Sequence, residues 1–516
     1  MSPAAPPVGR TDGPPLPVVV VGAGPTGVTA ALLLAGYGIP SLLLDRWTGV
    51  YPLPRAVHLD DEVYRILQQV GAHRAFAGIS RPGAGLRLLA PDHRVLAEFR
   101  RDATVEAHGH PQANMFDQPE LETLLRRRVA EEPLVTLRGG VEVTGLDATD
   151  DGPVRLRVTD WDSGERTTLT ARYVLGCDGA NSTVRDLVGA RLRDLGFAQR
   201  WLVVDVDTDA PVDAWEGVHQ VCDPHRAATY MRVGPRRYRW EFRLLPDETA
   251  AELSVPSALH RLIRPWTGDV PFEAFTVTRC AEYTFRAGVA DRWRVGRVFL
   301  LGDAAHLTPP FIGQGMGAGL RDAANLTWKL AAVLAGGLPD SALDSYQTER
   351  GPHVTSLIRL ATVIGRAMTE GGEVGNVLRR LVVPRLGSLL VFRRKALDSA
   401  TPALRRSVLR QRRTVPWGLP GRLCPNAPLA DGRRFDDLVG TSFALVTVGP
   451  LASGAERAAR LRGVVPVSVA AGSVLGRWLA RGRAGAALVR PDRTVLAAGH
   501  DVSALLAAAP TLTPVS

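Results

Sequence analysis

Pro17-Val-Val-Val-Val21-Gly22-Ala-Gly24-Pro25-Thr26-Gly27 leads into a helical run ending near Gly36, then a second apolar run, Leu42–Leu44, closed by Asp45. The four valines suit a strand covered on both faces, because parallel strands packed under helices read as continuous apolar residues. Gly22 permits a tight turn, Gly24 lets a pyrophosphate approach the backbone, and Gly27 lets helix and strand pack closely. The free N–H groups and the positive end of the helix dipole then stabilise phosphate. Pro25 stands in the first helical turn, where its missing N–H has no partner to lose. Asp45, eighteen residues after Gly27, is the candidate for a ribose hydroxyl. This order predicts a Rossmann-type dinucleotide unit with Thr26 inside its phosphate turn. Asp45 argues against a 2′-phosphate and Arg46 beside it argues the other way, so NAD, NADP and FAD all stay open here.

Composition bounds the rest. The chain has 516 residues, 45% hydrophobic and 22% charged, which suits about three folded domains and excludes disorder throughout. Its net charge of +10 invites a nucleic-acid reading. Only Lys329 and Lys395 are lysines, however, so the excess is arginine, as the codon bias of a GC-rich genome would give. The cations are spread along the chain rather than gathered on one element, and no nucleic-acid partner is expected. Cys177, Cys222, Cys280 and Cys424 lie too far apart for a redox pair or a zinc knuckle, and read as reduced thiols of a cytoplasmic protein. The Pro-rich start lacks the apolar core of a secretory signal and reads as a lead-in. The apolar stretch Leu16–Leu44 is broken by glycines and prolines, so no membrane span is expected.

Two further stretches extend the pattern. Arg297-Val-Phe-Leu-Leu-Gly302-Asp303-Ala-Ala-His306 is another buried strand, ending in Gly-Asp. It continues through Pro309-Pro310-Phe-Ile-Gly313-Gln-Gly315-Met316-Gly317 into a helix. Tyr173-Val-Leu-Gly-Cys-Asp178-Gly179-Ala-Asn-Ser182-Thr-Val-Arg185 lies between the first and third motifs. Asp303 stands after a strand, where open α/β sheets place their ligands, and the helix after Gly313 could turn its N–H groups towards an anionic ring. His306, and His108 with His110, have no partner at metal-ligand spacing, so no metal is expected.

With these motifs in this order, the chain resembles the single-component, class A flavoprotein aromatic hydroxylases. Within them it is most similar to 3-(3-hydroxyphenyl)propionate hydroxylases and polyketide hydroxylases. The resemblance covers nearly the whole chain, including Pro54-Arg55-Ala56 with Leu59-Asp60, and Phe116-Asp-Gln118. It implies FAD held non-covalently, with Gly22–Gly27 at the ADP half, Arg55 at the pyrophosphate and Gln118 at the ribityl chain or ring edge. Asp178 would serve both FAD and the nicotinamide donor, and Asp303 the ribityl chain. Pro310, Gly313, Gly315 and Met316 would lie at the flavin ring.

The same resemblance implies NADPH or NADH as a transient co-substrate, because only one dinucleotide fingerprint is present. It implies O2 carried as a flavin hydroperoxide and a small phenolic or polyketide-like aromatic substrate, in aromatic catabolism or natural-product biosynthesis. Baeyer–Villiger oxidation or epoxidation on the same motifs is the alternative, and a homodimer stays open. The family often has Asn where this chain has Gly317, so a side-chain dipole near the flavin pyrimidine is expected to be missing.

The expected architecture is α/β. A Rossmann-like FAD-binding domain, split in sequence, occupies 16–190 and 292–351, with 80–112 contributing to the substrate side. An antiparallel substrate sheet occupies 191–291, a helical segment 352–415, and a thioredoxin-like domain 426–516. In Tyr238-Arg-Trp240-Glu241-Phe242-Arg-Leu244 the alternation of charged and aromatic residues predicts an antiparallel strand whose outward residues are read as a solvated sheet face, with substrate contact as the alternative.

Overall fold

Leu16–Val21, apolar on both faces, lies inside an eight-stranded sheet, hydrogen-bonded in parallel to Arg166–Gly176 on one side and Ser41–Leu44 on the other. Val135–Arg138 extends the sheet beyond Ser41–Leu44, and Val298–Leu300 extends it beyond Arg166–Gly176, both in parallel. The computed structural model describes residues 14–52, 55–101, 108–148, 152–212, 214–370, 402–405, 407–411 and 417–512. Register is the consequential feature. Val21 pairs with Gly176 and Gly176 with Leu300, so three strands from distant parts of the chain end abreast. The three motif loops therefore leave the sheet along one edge.

A second eight-stranded sheet collects Gly85–Leu89, Val95–Arg100 and the short His306–Leu307 together with the five strands between Leu192 and Ala290. Its core strands alternate. Tyr230, Tyr238, Trp240 and Phe242 pack against Leu259, Ile263 and Trp266 of the helix Pro256–Thr267. The opposite face of Arg237–Arg243 carries Arg239 and Glu241, only 1% and 8% exposed. The expected solvated face is therefore corrected: this side of the sheet is buried and lines a cavity. Alternation shows that a strand has two faces, not what covers each of them.

The C-terminal part is a four-stranded sheet in the order Val464–Val469, Phe443–Val448, Ala486–Val489, Val495–Gly499. The first two strands are parallel and the rest antiparallel, with helices Ser453–Leu461, Val474–Arg481 and Val502–Ala507 between and after them. The helical segment departs from expectation. The helix that begins at Ser345 ends at Thr369. The described residues 402–405 and 407–411 are not helical: Leu404 N–H donates to Gly421 O and Gln411 N–H to Leu496 O. Main-chain pairing with the C-terminal part thus replaces helix there, and the remainder of the expected segment lies outside the described residues. No helix among the described residues is long and apolar enough to cross a membrane.

Buried charge joins the C-terminal part to the rest. The Arg490 guanidinium grips Glu349 with two hydrogen bonds of 2.9 Å, and Lys329 Nζ donates to the same carboxylate at 2.9 Å. All three side chains are fully buried. Burial raises the Glu349 carboxyl, yet Arg490 and Lys329 hold it far below its ordinary value. Burial also pulls the Lys329 ammonium down to about 8. A second pair, Arg65 with Asp436 at 2.7 Å, repeats the arrangement nearby, with Arg493 on the same carboxylate. Arg490→Ala leaves Glu349 short of its bidentate partner, and the expected loss is about 3 kcal/mol, the lower end for breaking one partner of a buried pair. Chemical unfolding curves measure it, and a loss below ~1 kcal/mol, the range of exposed pairs, would show that Lys329 alone suffices.

Candidate active site

The nucleotide turn is built by main chain pressed on main chain. Gly22, at φ +102°, donates its N–H to Leu44 O, and Cys177 donates to Val21 O. A Cβ on Gly22 would fall 2.4 Å from Cys177 O, and one on Gly27 only 1.9 Å from Gly22 O. Only glycine meets both demands. Space above Gly24 is open at the start of the helix Pro25–Gly36, whose first N–H groups have no acceptor within the helix and no side-chain cap. Asp45 accepts from Ala23 N–H at 2.6 Å and from Trp47 N–H at 2.8 Å, so its carboxylate braces the turn from the neighbouring strand end.

The second and third motif loops are tied to the first. Asp178 accepts from Ser182 Oγ at 2.5 Å and from Val184 N–H at 2.9 Å, which fixes the loop and caps the short helix Thr183–Leu187. Arg185 donates to Ala180 O and, across to the third motif, to Ala304 O. Asp322, at the core of the helix Gly315–Leu334, accepts from Gly302 N–H at 3.1 Å, His306 Nε2 at 2.7 Å and Arg350 Nε at 2.8 Å. Burial would raise its carboxyl, but His306 and Arg350 hold it below the ordinary range. His306 is thus committed to a hydrogen bond with Asp322 under the Gly-Asp turn. His108 contacts Arg65, and among the described residues no cluster of metal-binding side chains is present.

One cavity of about 1600 Å3 runs from the nucleotide turn to the inner face of the second sheet. Of the residues picked out by sequence, Gly22, Gly24, Pro25, Thr26, Asp45, Arg46, Arg55, Gln118, Asp178, Asp303, Pro310, Gly313, Gly315 and Met316 line it. Gly27 and Gly302 lie behind the wall and act through packing. Gln118 accepts from the N–H groups of Arg55 and Ala56 and donates to Glu122, so it holds the loop that presents Arg55. Asp303 faces the cavity, and burial pushes its carboxyl up. Gly317 departs from expectation. A Cβ there would meet Arg321 Nη1 and Val63 Cγ2 at 3.0 Å, because two residues past Gly315 the helix has turned this position away from the cavity. A dipole at 317 would therefore point at the Arg321–Asp60 pair rather than at a ring in the cavity.

The far wall is formed by Gln220, Thr229, Arg239 and Glu241, with His58 beside Gly313; sequence reasoning missed Gln220, Thr229 and His58, and held substrate contact for the strand of Arg239 and Glu241 only as the alternative. Burial first, then Arg101, brings the His58 imidazole down to about 4, so it is neutral at neutral pH. The signal in the sequence was the Arg-x-Glu spacing within Arg237–Arg243, whose polar side the tertiary structure covers.

The residues present fit FAD. The turn is cleared of side chains at Gly24, the first amide donors of the helix have no acceptor within it, and Arg55 and Asp303 lie further along the same cavity. The volume exceeds the roughly 300–1000 Å3 of ordinary ligand pockets, leaving room for a second molecule. A family model described as an FAD binding domain matches residues 15–361, and the chain belongs to the FAD-dependent aromatic hydroxylases, which are flavoprotein monooxygenases. Among its relatives, a probable NADH-specific resorcinol 4-hydroxylase of Rhodococcus jostii (strain RHA1) is 35% identical over 510 residues, covering 95% of this chain and 93% of the relative. A 3-(3-hydroxy-phenyl)propionate/3-hydroxycinnamic acid hydroxylase of Burkholderia cenocepacia (strain HI2424) is 35% identical over 448 residues, covering 83% and 78%. The flavin-dependent monooxygenase PieE, solved with FAD and substrate, superposes with a TM-score of 0.79 at 25% identity, over 96% of this chain and 97% of that one. Aklavinone-11 hydroxylase shares the fold at a TM-score of 0.80 and 24% identity, over 96% and 98%.

Gly27→Ala tests the turn. The added methyl group demands the space of Gly22 O, and overpacking of this kind costs about 1–3 kcal/mol. Purified Gly27→Ala protein is expected to fold but to carry little flavin, read from the absorbance near 450 nm; full flavin content would show that the turn can open.

Proposed function

We propose that this chain is a NAD(P)H-consuming, FAD-dependent monooxygenase that hydroxylates a phenolic or polyketide-like ring. The single observation that carries this is the continuity of the cavity: the nucleotide turn, Asp303, the Gly313–Met316 segment and the inner face of the second sheet open into one space. The resorcinol hydroxylase relative, aligned over nearly the full chain, supports the phenolic substrate and the nicotinamide donor.

FAD, when bound, supplies the activation of O2 and the delivery of one oxygen atom to the ring. The chain supplies the rest. The Gly22–Thr26 turn and the start of the helix Pro25–Gly36 bind the pyrophosphate with N–H groups, and Arg55 adds charge to the same end. Asp45 receives a ribose hydroxyl and Asp303 a ribityl hydroxyl. The N–H groups at Gly315 and Met316, at the positive start of the helix Gly315–Leu334, would stabilise negative charge on a flavin held in this part of the cavity. Apolar side chains, with Met115, Val203 and Phe285 among them, exclude water from the substrate end, which keeps the activated oxygen for the ring. A single dinucleotide turn leaves the nicotinamide to visit transiently.

The strand order of the C-terminal part, with its first two strands parallel and the next two antiparallel, supports a thioredoxin-like unit. Cys424, just ahead of this unit and packed in its core, is buried with its thiol pushed far up, so we assign the unit a structural role rather than redox chemistry.

Flavin-loaded protein is expected to consume NADH or NADPH faster in the presence of resorcinol or 3-(3-hydroxyphenyl)propionate, and to release a ring-hydroxylated product detectable by mass. Reductant consumption that ignores every phenol offered, with no product, would overturn the reading. Asp303→Ala is expected to weaken FAD by about 1.5–3 kcal/mol, the range for hydrogen bonds to a charged group. That is roughly 10- to 150-fold in Kd by fluorescence titration of the apoprotein.

A further inference from the structure

The cavity face of the second sheet carries two cross-strand rows. In one, Gln220 pairs with Thr229, Thr229 with Glu241, and Glu241 with Val203. In the other, Met231 pairs with Arg239, Arg239 with Asp205, and Asp205 with Arg279. In the second row the carboxylate is paired. Arg239 grips Asp205 at 2.7 and 3.0 Å and donates to Arg55 O at 2.9 Å, while Arg279 lies 3.6 Å from Asp205 and over the Tyr283 ring.

The first row is not satisfied. Glu241 is buried to 8% exposure and lines the cavity, with charged neighbours but no hydrogen-bond donor among the described residues. Gln220, 3% exposed, donates from Nε2 to Phe311 O at 3.0 Å, and its Oε1 is buried without a partner. A buried acceptor without a donor is costly, and such groups in a cavity wall point to a donor brought by a ligand. Two strand spacings set Gln220 and Glu241 roughly 10 Å apart, with Thr229 between them. That gap suits one aromatic ring. Phe311 precedes the Gly313–Met316 segment, so Gln220 also ties the row to the wall proposed for the flavin ring.

Resting on the phenolic reading above, we propose that Glu241 is a catalytic residue that takes the hydroxyl proton of the bound substrate, with Gln220 as a positioning residue at the other end of the ring. In this step the substrate O–H bond breaks and an O–H bond to a Glu241 oxygen forms. The electron pair stays on the phenolate oxygen, and the negative charge passes from Glu241 to the substrate. No oxidant enters, and the proton leaves later to water. The phenolate raises electron density at the ortho and para carbons, which receive the oxygen. The charged and titratable groups facing Glu241 are Arg239 on its own strand, Asp205 on Leu192–Asp207, and Arg279 with Tyr283 on Thr276–Ala290. Burial raises the carboxyl against the pull of Arg239 and Arg279, and a carboxylate so raised is the stronger base.

The test uses the flavin-loaded full chain, wild type against Glu241→Gln and Glu241→Asp, with resorcinol and 3-(3-hydroxyphenyl)propionate as probes. Product formation is followed from pH 6 to pH 10, flavin content is measured for each protein, and resorcinol binding to the oxidised protein is titrated by the flavin spectrum. Glu241→Gln is expected to retain flavin, to bind resorcinol several-fold more weakly, and to lose about 100-fold in product formation at pH 7, the low end for a removed general base. The deficit should shrink at least tenfold by pH 10, where phenols ionise unaided near their pKa of about 10. Glu241→Asp should keep the wild-type pH profile at a lower rate. Equal turnover in Glu241→Gln, a deficit of the same depth at pH 6 and pH 10, or flavin lost in step with activity would each overturn the assignment. A wild-type chain inert towards every phenol tried fails differently, because it overturns the phenolic reading itself and this proposal with it.

Discussion

Main chain touching main chain at the carboxyl edge of the parallel sheet is the constraint on which the site depends. Gly22 lies against Cys177 and Asp178, and Gly27 lies against Gly22, at separations that leave no room for a Cβ. Contact this close is possible because Val21, Gly176 and Leu300 share one register, which delivers three loops to one place. Shifting one strand by a single residue would reverse its side chains and break the alignment. The cavity, the order of its lining residues and the separation between its nucleotide end and its sheet wall all follow from that register.

Charge performs the second task. The sequence is rich in arginine, and many of those arginines are spent inside the molecule rather than on a surface stripe. Arg185 bridges two motif loops, and Arg321 fixes Asp60 beneath the helix Gly315–Leu334. Arg350 steadies Asp322, and Arg490 secures the C-terminal part against Glu349. The planar guanidinium reaches several oxygens at once, which suits a role of joining separate chain segments inside a low-dielectric interior. Burying these charges is costly, so their value lies in fixing one arrangement of loops. Glu241 is the contrast: a buried charge in the second sheet that has no hydrogen bond from the described residues.

Cofactor and sheet wall thus differ in how they are held. The nucleotide turn is built mainly of backbone, with glycine required at Gly22 and Gly27 and the side chains of Asp45 and Arg55 beside it. The substrate end is side chains on a rigid sheet, with Tyr238, Trp240 and Phe242 anchoring the strand from behind while Arg239 and Glu241 project forward. Anchoring on the far side lets the near side vary in chemistry without loss of position, which is how one scaffold can serve different aromatic substrates.

Local pattern carried most of the cofactor end. The valine run, the glycine spacing, Asp45, and the Asp178 and Asp303 motifs could each be read in sequence, because turn conformation and strand burial are properties of a few adjacent residues. Three things escaped that reading. The charged side of Arg237–Arg243 is covered by parts of the chain far away in sequence, Gly317 is turned from the cavity by helical phase against Val63 and Arg321, and Leu404 and Gln411 pair with the C-terminal part where helix was expected. The sequence by itself determined the dinucleotide turn and the strands that bear the motifs, since backbone sterics and hydrophobic period act locally. Only the tertiary structure decided that Gln220, Thr229 and Glu241 stand in one row on the wall of the cavity that Asp303 also lines, because cross-strand register and the covering of a sheet face are set by contacts between segments that the chain order keeps apart.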